Sequence, residues 1–363
     1  MQTNKWVQWW MLLGLVMLVV QVMVGGITRL TGSGLSITEW DIVTGSIPPT
    51  SEEQWIAEFE LYKETPQYRE INEGMEMGSI FESGTFKFIY FWEWIHRFWA
   101  RIMGLVFLIP LIFFLVKKWI KPPLLKRLGV VFLLAGLAAS FGWIMVASGL
   151  VERPWVNAYK LALHLCIAFS VYSYLWWTYL KTKYNGSGFY PIVYTEIPLR
   201  KLGYIFTGLL WVQIFLGGVM AGMKAGVVYP SWPDMNGEII PQIVFNISEW
   251  NVNNFNNYDQ NEFMPALIHI LHRGIAYILT AFGLYYFVKI RKNINFSRYQ
   301  VSGYMLIILL IIQVVLGIFT VINCQGSIPL FYGVAHQITA LFLLTAALHL
   351  NYIWRHLLQK RSV

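Results

Sequence analysis

Long apolar runs alternate with polar connections along almost the whole chain. Eight runs are long enough to cross the roughly 30 Å hydrocarbon layer of a membrane as helices of about 20 residues. They cover approximately residues 7–27, 88–116, 128–150, 158–180, 202–222, 264–289, 301–323 and 331–354. The pattern therefore predicts an all-α membrane protein with eight transmembrane helices.

The composition excludes a soluble globular domain. Of 363 residues, 56% are hydrophobic and only 13% are charged, which is far more apolar than soluble proteins are. The net charge of +8 comes from basic residues after the second, fourth and sixth runs and at the C-terminus. By the positive-inside rule, these connections and both termini lie in the cytoplasm. The charge thus reflects orientation in a lipid bilayer, and nucleic-acid binding is not expected.

The first run resembles a secretory signal but lacks a cleavage site and exceeds a typical apolar core of about 7–15 residues. We expect it to be a retained helix. No transit segment precedes it, which favours a bacterial plasma membrane over a mitochondrial one.

Two long connections are predicted to cap the outer face. Residues 28–87 carry eleven acidic and four basic residues, and the part between Ser51 and Tyr68 has the pattern of a short amphipathic helix. Residues 223–262 are rich in Asn and Pro. The Gly-rich stretch from Gly25 to Ser36 is too polar for a lipid-exposed helix and is expected to line a cavity.

An internal repeat divides the chain. Gln21-x-x-x-Gly25-Gly26 recurs as Gln213-x-x-x-Gly217-Gly218, and His-Arg and His positions recur in the same order. The repeat predicts two pseudo-symmetric four-helix bundles with the same orientation. The first covers residues 1–181 and the second 202–363, with a cytoplasmic linker at 182–201.

Ionisable side chains lie inside two of the apolar runs. Glu93, His96 and Arg97 recur as His269, His272 and Arg273. Such groups are costly in hydrocarbon and usually mark a site that faces the protein interior. Glu93 and His96 share one helical face because they are three residues apart.

Four histidines occupy matched positions near the outer ends of the even-numbered helices: His96, His164, His272 and His336. One histidine from each of two facing helices is a common way to ligate haem iron axially, so two pairs predict two haems near the outer face. Zinc or copper would need three or four converging ligands, and hydrogen-bonded structural histidines are the alternative. Cys166 and Cys324 form no ligand or disulfide pattern.

The residues beside the histidines suggest different roles for the two halves. Arg97 and Arg273 are candidates to pair with haem propionates, or their side chains extend to the outer interface. Glu93 could stabilise positive charge or accept a proton at the edge of a haem, which places chemistry in the first half and electron transfer in the second. A structural Glu93, paired with Arg97 or Arg101, is the alternative.

The motifs resemble one known family over essentially the whole chain. The run from Gly26 to Ser36 is followed by Glu39-Trp40, Pro48-Pro49 and the stretch from Phe86 to Arg97. The second half adds Ala225-Gly226, Trp232-Pro233-x-Met235-x-Gly237 and His272-Arg273. Together these are similar to heme A synthase, in the form shared by mitochondria and many Gram-negative bacteria.

The resemblance implies oxidation of the C8 methyl of haem O to a formyl group, giving haem A for cytochrome c oxidase. It implies that His96 and His164 ligate the substrate haem O, that His272 and His336 ligate a haem b, and that Glu93 is the catalytic carboxylate. Haem O synthase or oxidase assembly factors would be partners, together with an electron acceptor that the sequence does not identify. The chain departs from some bacterial members because residues 28–87 contain no cysteine.

Other functions remain open at this point. A non-enzymatic di-haem b electron-transfer subunit would need the same four histidines but not Glu93. A transporter would need polar residues down to the cytoplasmic side, where the runs are nearly uniformly apolar. The sequence assigns no role to His269 and does not determine whether the chain forms a homo-oligomer.

Overall fold

A computed structural model describes residues 4–39, 47–150, 153–184, 197–293 and 300–359. Several residues used above lie outside this described part: Trp40, the linker residues 185–196, Arg298, Lys360 and Arg361.

Within the described residues the protein is helical and contains no strand. Eight of its helices are long and apolar enough to cross a membrane: α1 (Lys5–Leu30), α4 (Phe86–Val116), α5 (Pro122–Gly149), α6 (Ala158–Lys183), α7 (Ile197–Gly222), α10 (Phe263–Arg291), α11 (Gln300–Ile322) and α12 (Leu330–Gln359). This confirms the predicted all-α membrane fold. α5 begins earlier than the apolar run because Pro122 is well suited to the first turn of a helix.

The membrane helices form a central group and a peripheral group. α1, α6, α7 and α12 pack against one another at the centre, with α12 contacting the other three. α4, α5, α10 and α11 each pack against one of these central helices. Because central helices from both parts of the chain contact each other directly, the division into two four-helix units remains a prediction.

The main apolar core lies at one end of the bundle. It draws on all eight membrane helices, through the first turns of α1, α5, α7 and α11 and the last turns of α4, α6, α10 and α12. Val7, Phe169, Phe206 and Leu344 are among its almost fully buried members. This is the end away from the two long connections, so the more polar positions are left at the opposite end.

The first long connection contains α2 (Glu52–Lys63) and α3 (Pro66–Glu70). Ser51 and Gln54 form a capping box that starts α2. Phe59 and Tyr62 of α2 stack on Phe86 at the start of α4. The predicted helix is therefore confirmed, and aromatic packing holds it against the N-terminal end of α4.

The second long connection contains α8 (Ala225–Val228), two short 3-10 helices and α9 (Val252–Asn256). Its Tyr258 is 1% exposed, and its hydroxyl oxygen accepts a hydrogen bond at 2.8 Å from the backbone N–H of Ala158 in the first turn of α6. Phe263 and Met264 at the start of α10 complete this cluster. Both connections are thus anchored to the ends of membrane helices, on the side of the bundle away from the apolar core.

Candidate functional site

One cavity of about 1400 Å³ lies between the apolar core and the long connections. Its wall includes Glu93 and all four predicted histidines, His96, His164, His272 and His336. Pockets for a single small ligand usually measure about 300–1,000 Å³. The cavity is therefore large enough for more than one sizeable ligand.

Each of the four histidine rings lies directly against a glycine of a neighbouring helix. A Cβ placed on these glycines would come within 2.9 to 3.1 Å of the ring. The pairs are Gly25 with His96, Gly142 with His164, Gly217 with His272 and Gly317 with His336. The four sites thus share one construction, in which a missing side chain makes room for an imidazole. Gly218, in contrast, allows close helix packing, because a Cβ added there would meet Ala162 of α6.

A glutamine one helical turn before the glycine approaches three of the rings. Gln213 Nε2 lies 3.2 Å from Nε2 of His272, and Gln313 Nε2 lies 3.1 Å from Nε2 of His336. An amide N–H can donate only to a ring nitrogen that carries a lone pair, which is also the nitrogen that can bind a metal. Gln21 approaches His96 in a similar way, at 3.1 Å from Nδ1.

His164 differs from the other three histidines. The residue one turn before its glycine is Ala138, so no amide stands at the corresponding place. The sequence repeat identified Gln21 and Gln213 but missed Gln313, although Gln313-x-x-x-Gly317 has the same spacing.

The second histidine pair has the geometry for a shared metal. The ring centroids of His272 and His336 are 6.5 Å apart and the rings are tilted by 72°. Two metal–nitrogen bonds of about 2 Å each, together with the half-widths of two rings, give a separation of this size. Nδ1 of both rings is buried without a hydrogen-bond partner among the described residues. The separation and burial of the pair therefore fit axial ligation of a haem iron.

Glu93 is held by four donors beside the first pair. Its Oε2 accepts from the backbone N–H of Ser36 at 2.7 Å, from the Ser36 hydroxyl at 2.7 Å and from the N–H of Ile37 at 3.0 Å. Its Oε1 pairs with Arg97 at 2.5 Å. The side chain is only 2% exposed, and four donors match an ionised carboxylate. The alternative in which Glu93 pairs with Arg97 thus describes an existing contact, and it also anchors the first long connection to α4.

His269 occupies the place that corresponds to Glu93 in the second half. It is 2% exposed, and its Nδ1 has no hydrogen-bond partner among the described residues. Its ring lies edge-on to Tyr229 with centroids 6.4 Å apart. The second half therefore places an imidazole, and not a carboxylate, beside its ligand pair.

Arg97 and Arg273 both reach carbonyl groups of the long connections. Arg97 donates to the carbonyls of Ile37 at 3.3 Å and Glu39 at 3.5 Å. Arg273 donates to Asp234 at 2.8 Å and Ile239 at 3.4 Å. Each arginine thus ties a connection to the helix that carries the neighbouring histidine, while both also line the cavity.

Two further cationic side chains line the cavity at the junction of the two halves. Arg29, at the end of α1, donates to the carbonyl of Ala221 near the end of α7. Lys224 lies with Nζ 5.1 Å from the ring of Trp155, and desolvation and the nearby charge of Arg29 lower the pKa of its ammonium group. No pattern in the sequence singled out Lys224, because it lies in a polar connection.

The two cysteines are not paired with each other. Both are free, and burial raises the pKa of the Cys324 thiol to about 11. A thiol with so high a pKa is a poor nucleophile at neutral pH. Cys324 instead donates to the carbonyl of Thr320 at 3.1 Å.

Comparison with known proteins gives a consistent result over almost the full length. A family model described as COX15-CtaA, cytochrome oxidase assembly protein, matches residues 8–348. A relative from Flavobacterium johnsoniae named Heme A synthase is 39% identical over 351 residues, covering 94% of this chain and 96% of the relative. Proteins of the same name from Nitrosospira multiformis and Bradyrhizobium diazoefficiens are 36% and 37% identical over 346 residues, covering 94% of this chain and 92% and 89% of theirs.

Proposed function

The chain belongs to the COX15-CtaA family of cytochrome oxidase assembly proteins, and we propose that it acts as a heme A synthase, a membrane oxidoreductase that modifies haem. The observation that carries the proposal is the set of four histidines, each seated on a glycine, around one large cavity. Family membership supplies the reaction, and this cavity supplies a place for it.

The substrate is haem O, and its iron is held by His96 and His164. The support for this assignment is the position of Glu93 one helical turn from His96 and within the same cavity wall. A carboxylate there adds a reactive group that the second pair lacks. The resident cofactor is a haem b, held by His272 and His336, whose ring separation suits one iron between them.

The reaction converts the C8 methyl of haem O into a formyl group by successive hydroxylations and loss of water from the resulting diol. A haem b held by His272 and His336 would supply a route for electrons to or from the site. Glu93 keeps a negative charge close to the substrate, where it favours the positive charge that develops when electrons leave the methyl carbon. Its donors, Ser36, Ile37 and Arg97, hold the carboxylate in place, so little reorganisation is needed during the reaction.

The propionates of the two haems need cationic partners. Arg97 and Arg273 are the candidates beside the histidines, since a guanidinium has five N–H donors and both arginines line the cavity. Arg29 and Lys224 offer further positive charge at the junction of the two halves. This placement puts the propionate edges toward the long connections and the rest of each haem toward the apolar core.

The protein spans the membrane several times, and we place both termini in the cytoplasm and the haem sites near the outer face. The basic residues at the inner ends of the helices, such as Lys117 and Lys289, support this orientation. A haem O synthase in the same membrane is the expected source of the substrate, and assembly of cytochrome oxidase is the expected use of the product.

The proposal is tested by expressing the chain together with a haem O synthase, purifying it and separating the extracted pigments by chromatography. We expect haem A to appear. Protohaem alone would contradict the proposal and favour a di-haem b electron-transfer subunit. Replacing His272 or His336 by Ala should remove the haem b spectrum while haem O still binds, whereas replacing His96 should abolish haem A formation.

A further inference from the structure

The cavity has different walls on the two sides of the molecule. In the second half, α10 packs against α11, and Leu310 of α11 fills the space beside Gly283 of α10. In the first half, the corresponding helices α4 and α5 approach each other only at isolated points. One such point is the contact of Phe107 with Phe132, whose ring centroids are 5.9 Å apart, toward the inner end.

The space between α4 and α5 connects the cavity with the membrane. Seven residues of these helices both line the cavity and are exposed on the protein surface. They are Trp143 and six small residues: Ala100, Gly104, Ala135, Gly136, Ala139 and Ser140. A Cβ added to Gly104 or Gly136 would meet no atom within 4 Å. We call this space, bounded by these six small residues, the lateral gap.

The second half carries larger side chains at the equivalent positions of the sequence. Gly136 lies six residues before Gly142, and the residue six positions before Gly317 is Ile311. In the same way, Ala139 corresponds to Val314. Of the cavity-lining residues on α10 and α11, both of which are described throughout, only Tyr277 is exposed. Its hydroxyl accepts a hydrogen bond from Trp232 Nε1 at 3.1 Å, which joins the second long connection to α10.

The open wall of the first half and the closed wall of the second half match the different occupants that we propose for them. A resident cofactor needs no path for exchange, whereas a substrate must enter and a product must leave at every turnover. Haem O carries a long isoprenoid chain, which is driven from water into lipid, so the substrate approaches from the membrane. The outer route over the first pair is covered by the connection that Glu93 and Arg97 anchor.

We propose that the lateral gap between α4 and α5 is the entrance through which the isoprenoid-bearing haem passes from the bilayer to His96 and His164. This inference rests on the proposed function, since it concerns the substrate of that site. The small residues of the gap admit the substrate edge-on, and the apolar tail remains in the gap and the adjoining lipid while the macrocycle is held in the cavity.

The test is to narrow the gap with the residue that the second half uses. Gly136→Ile places a branched side chain in the lateral gap without touching His164. Gly129→Ile is the matched control, because Gly129 lies on the same helix, also has no atom within 4 Å of an added Cβ, and does not line the cavity. Full-length protein carrying its second-half haem is reconstituted in lipid vesicles that contain haem O, and binding at the first pair is followed by absorbance.

We expect Gly136→Ile to slow haem O binding by about tenfold, equivalent to about 1.4 kcal/mol, while Gly129→Ile behaves as wild type. Ala139→Val should give a smaller reduction. Unchanged second-half absorbance verifies that the variants are folded. If Gly136→Ile binds haem O as fast as Gly129→Ile, the gap holds only membrane lipid and the proposed entrance is wrong. If wild-type protein binds haem O but produces no haem A, the proposed function fails independently of the entrance.

Discussion

His272 and His336 lie in a closed part of the cavity, each with a glutamine at its ring and with α10 and α11 packed together. His96 and His164 rest on glycines in the same way. However, His164 lacks the glutamine, and the carboxylate of Glu93 lies beside this pair. The adjacent helices α4 and α5 are also separated. The comparison shows how one local construction can serve two purposes. The histidines and their glycines are the same, and in our proposal the surroundings distinguish a site for a permanent occupant from a site for an exchanging one.

The largest expected effect concerns the groups at positions 93 and 269. Replacing Glu93 by Ala should lower the rate of haem A formation by about 10²-fold or more, the range found when a positioned acid or base is removed, and should leave the haem b spectrum unchanged. His269→Ala should affect the rate much less, because that residue lies beside the second pair. Haem A is measured by chromatography of the extracted pigments.

Glu93→Gln distinguishes charge from anchoring. A glutamine oxygen can still accept from the amides of Ser36 and Ile37, so a purely structural role predicts that this variant is active. A role for the negative charge predicts that it is nearly as impaired as Glu93→Ala. Full activity of either variant would remove Glu93 from the mechanism.

A smaller effect is expected from adding a methyl group to Gly217, the glycine that lies against the His272 ring. In Gly217→Ala the new Cβ would lie 3.0 Å from the ring of His272, so the ring must shift and its alignment with His336 is lost. We expect about tenfold weaker retention of haem b, similar to the loss of an outer-shell contact of a metal ligand. Gly208→Ala on the same helix is the control, since a Cβ there meets nothing within 4 Å. Equal retention of haem b in Gly217→Ala and Gly208→Ala would show that a glycine beside the His272 ring is not required.

The smallest expected effect tests the closed wall of the second half. Tyr277→Phe removes the hydrogen bond with Trp232, whose net contribution should be about 1 kcal/mol. Release of haem b to an excess of apomyoglobin should therefore become about fivefold faster. Tyr285→Phe on the same helix changes a tyrosine that does not line the cavity and should have no effect. An unchanged release rate in Tyr277→Phe would mean that packing of α10 on α11 alone closes this side.

Much of the fold could be predicted because each membrane helix is encoded locally. The length and apolarity of each run were sufficient to locate all eight spans, and the capping pattern at Ser51 was sufficient to locate α2. The four histidines were found for a similar reason, since polar residues in apolar runs are rare and their repeat is visible in the sequence. The structure places all four around one cavity.

The parts that could not be predicted depend on long-range contacts. Three of the four donors to Glu93 come from Ser36 and Ile37, in the connection that precedes α4. Nothing in the sequence around Ser36 or around Glu93 indicates that the two segments are partners. The lateral gap is equally hidden, because it results from small side chains on two helices that do not pack together. Ala138 and Gly136 are ordinary residues in an apolar helix until the second half shows what occupies the equivalent positions.

The two backbone amides that donate hydrogen bonds to Glu93 allow the motion of the first long connection to be measured. Ser36 and Ile37 lie in a connection without regular secondary structure, where amide protons ordinarily exchange rapidly with solvent. Because both are bound to a buried carboxylate, their protons can exchange only when this end of the connection detaches from α4. Deuterium uptake at these two amides therefore reports how often this end of the first long connection, which covers the first histidine pair, detaches from α4.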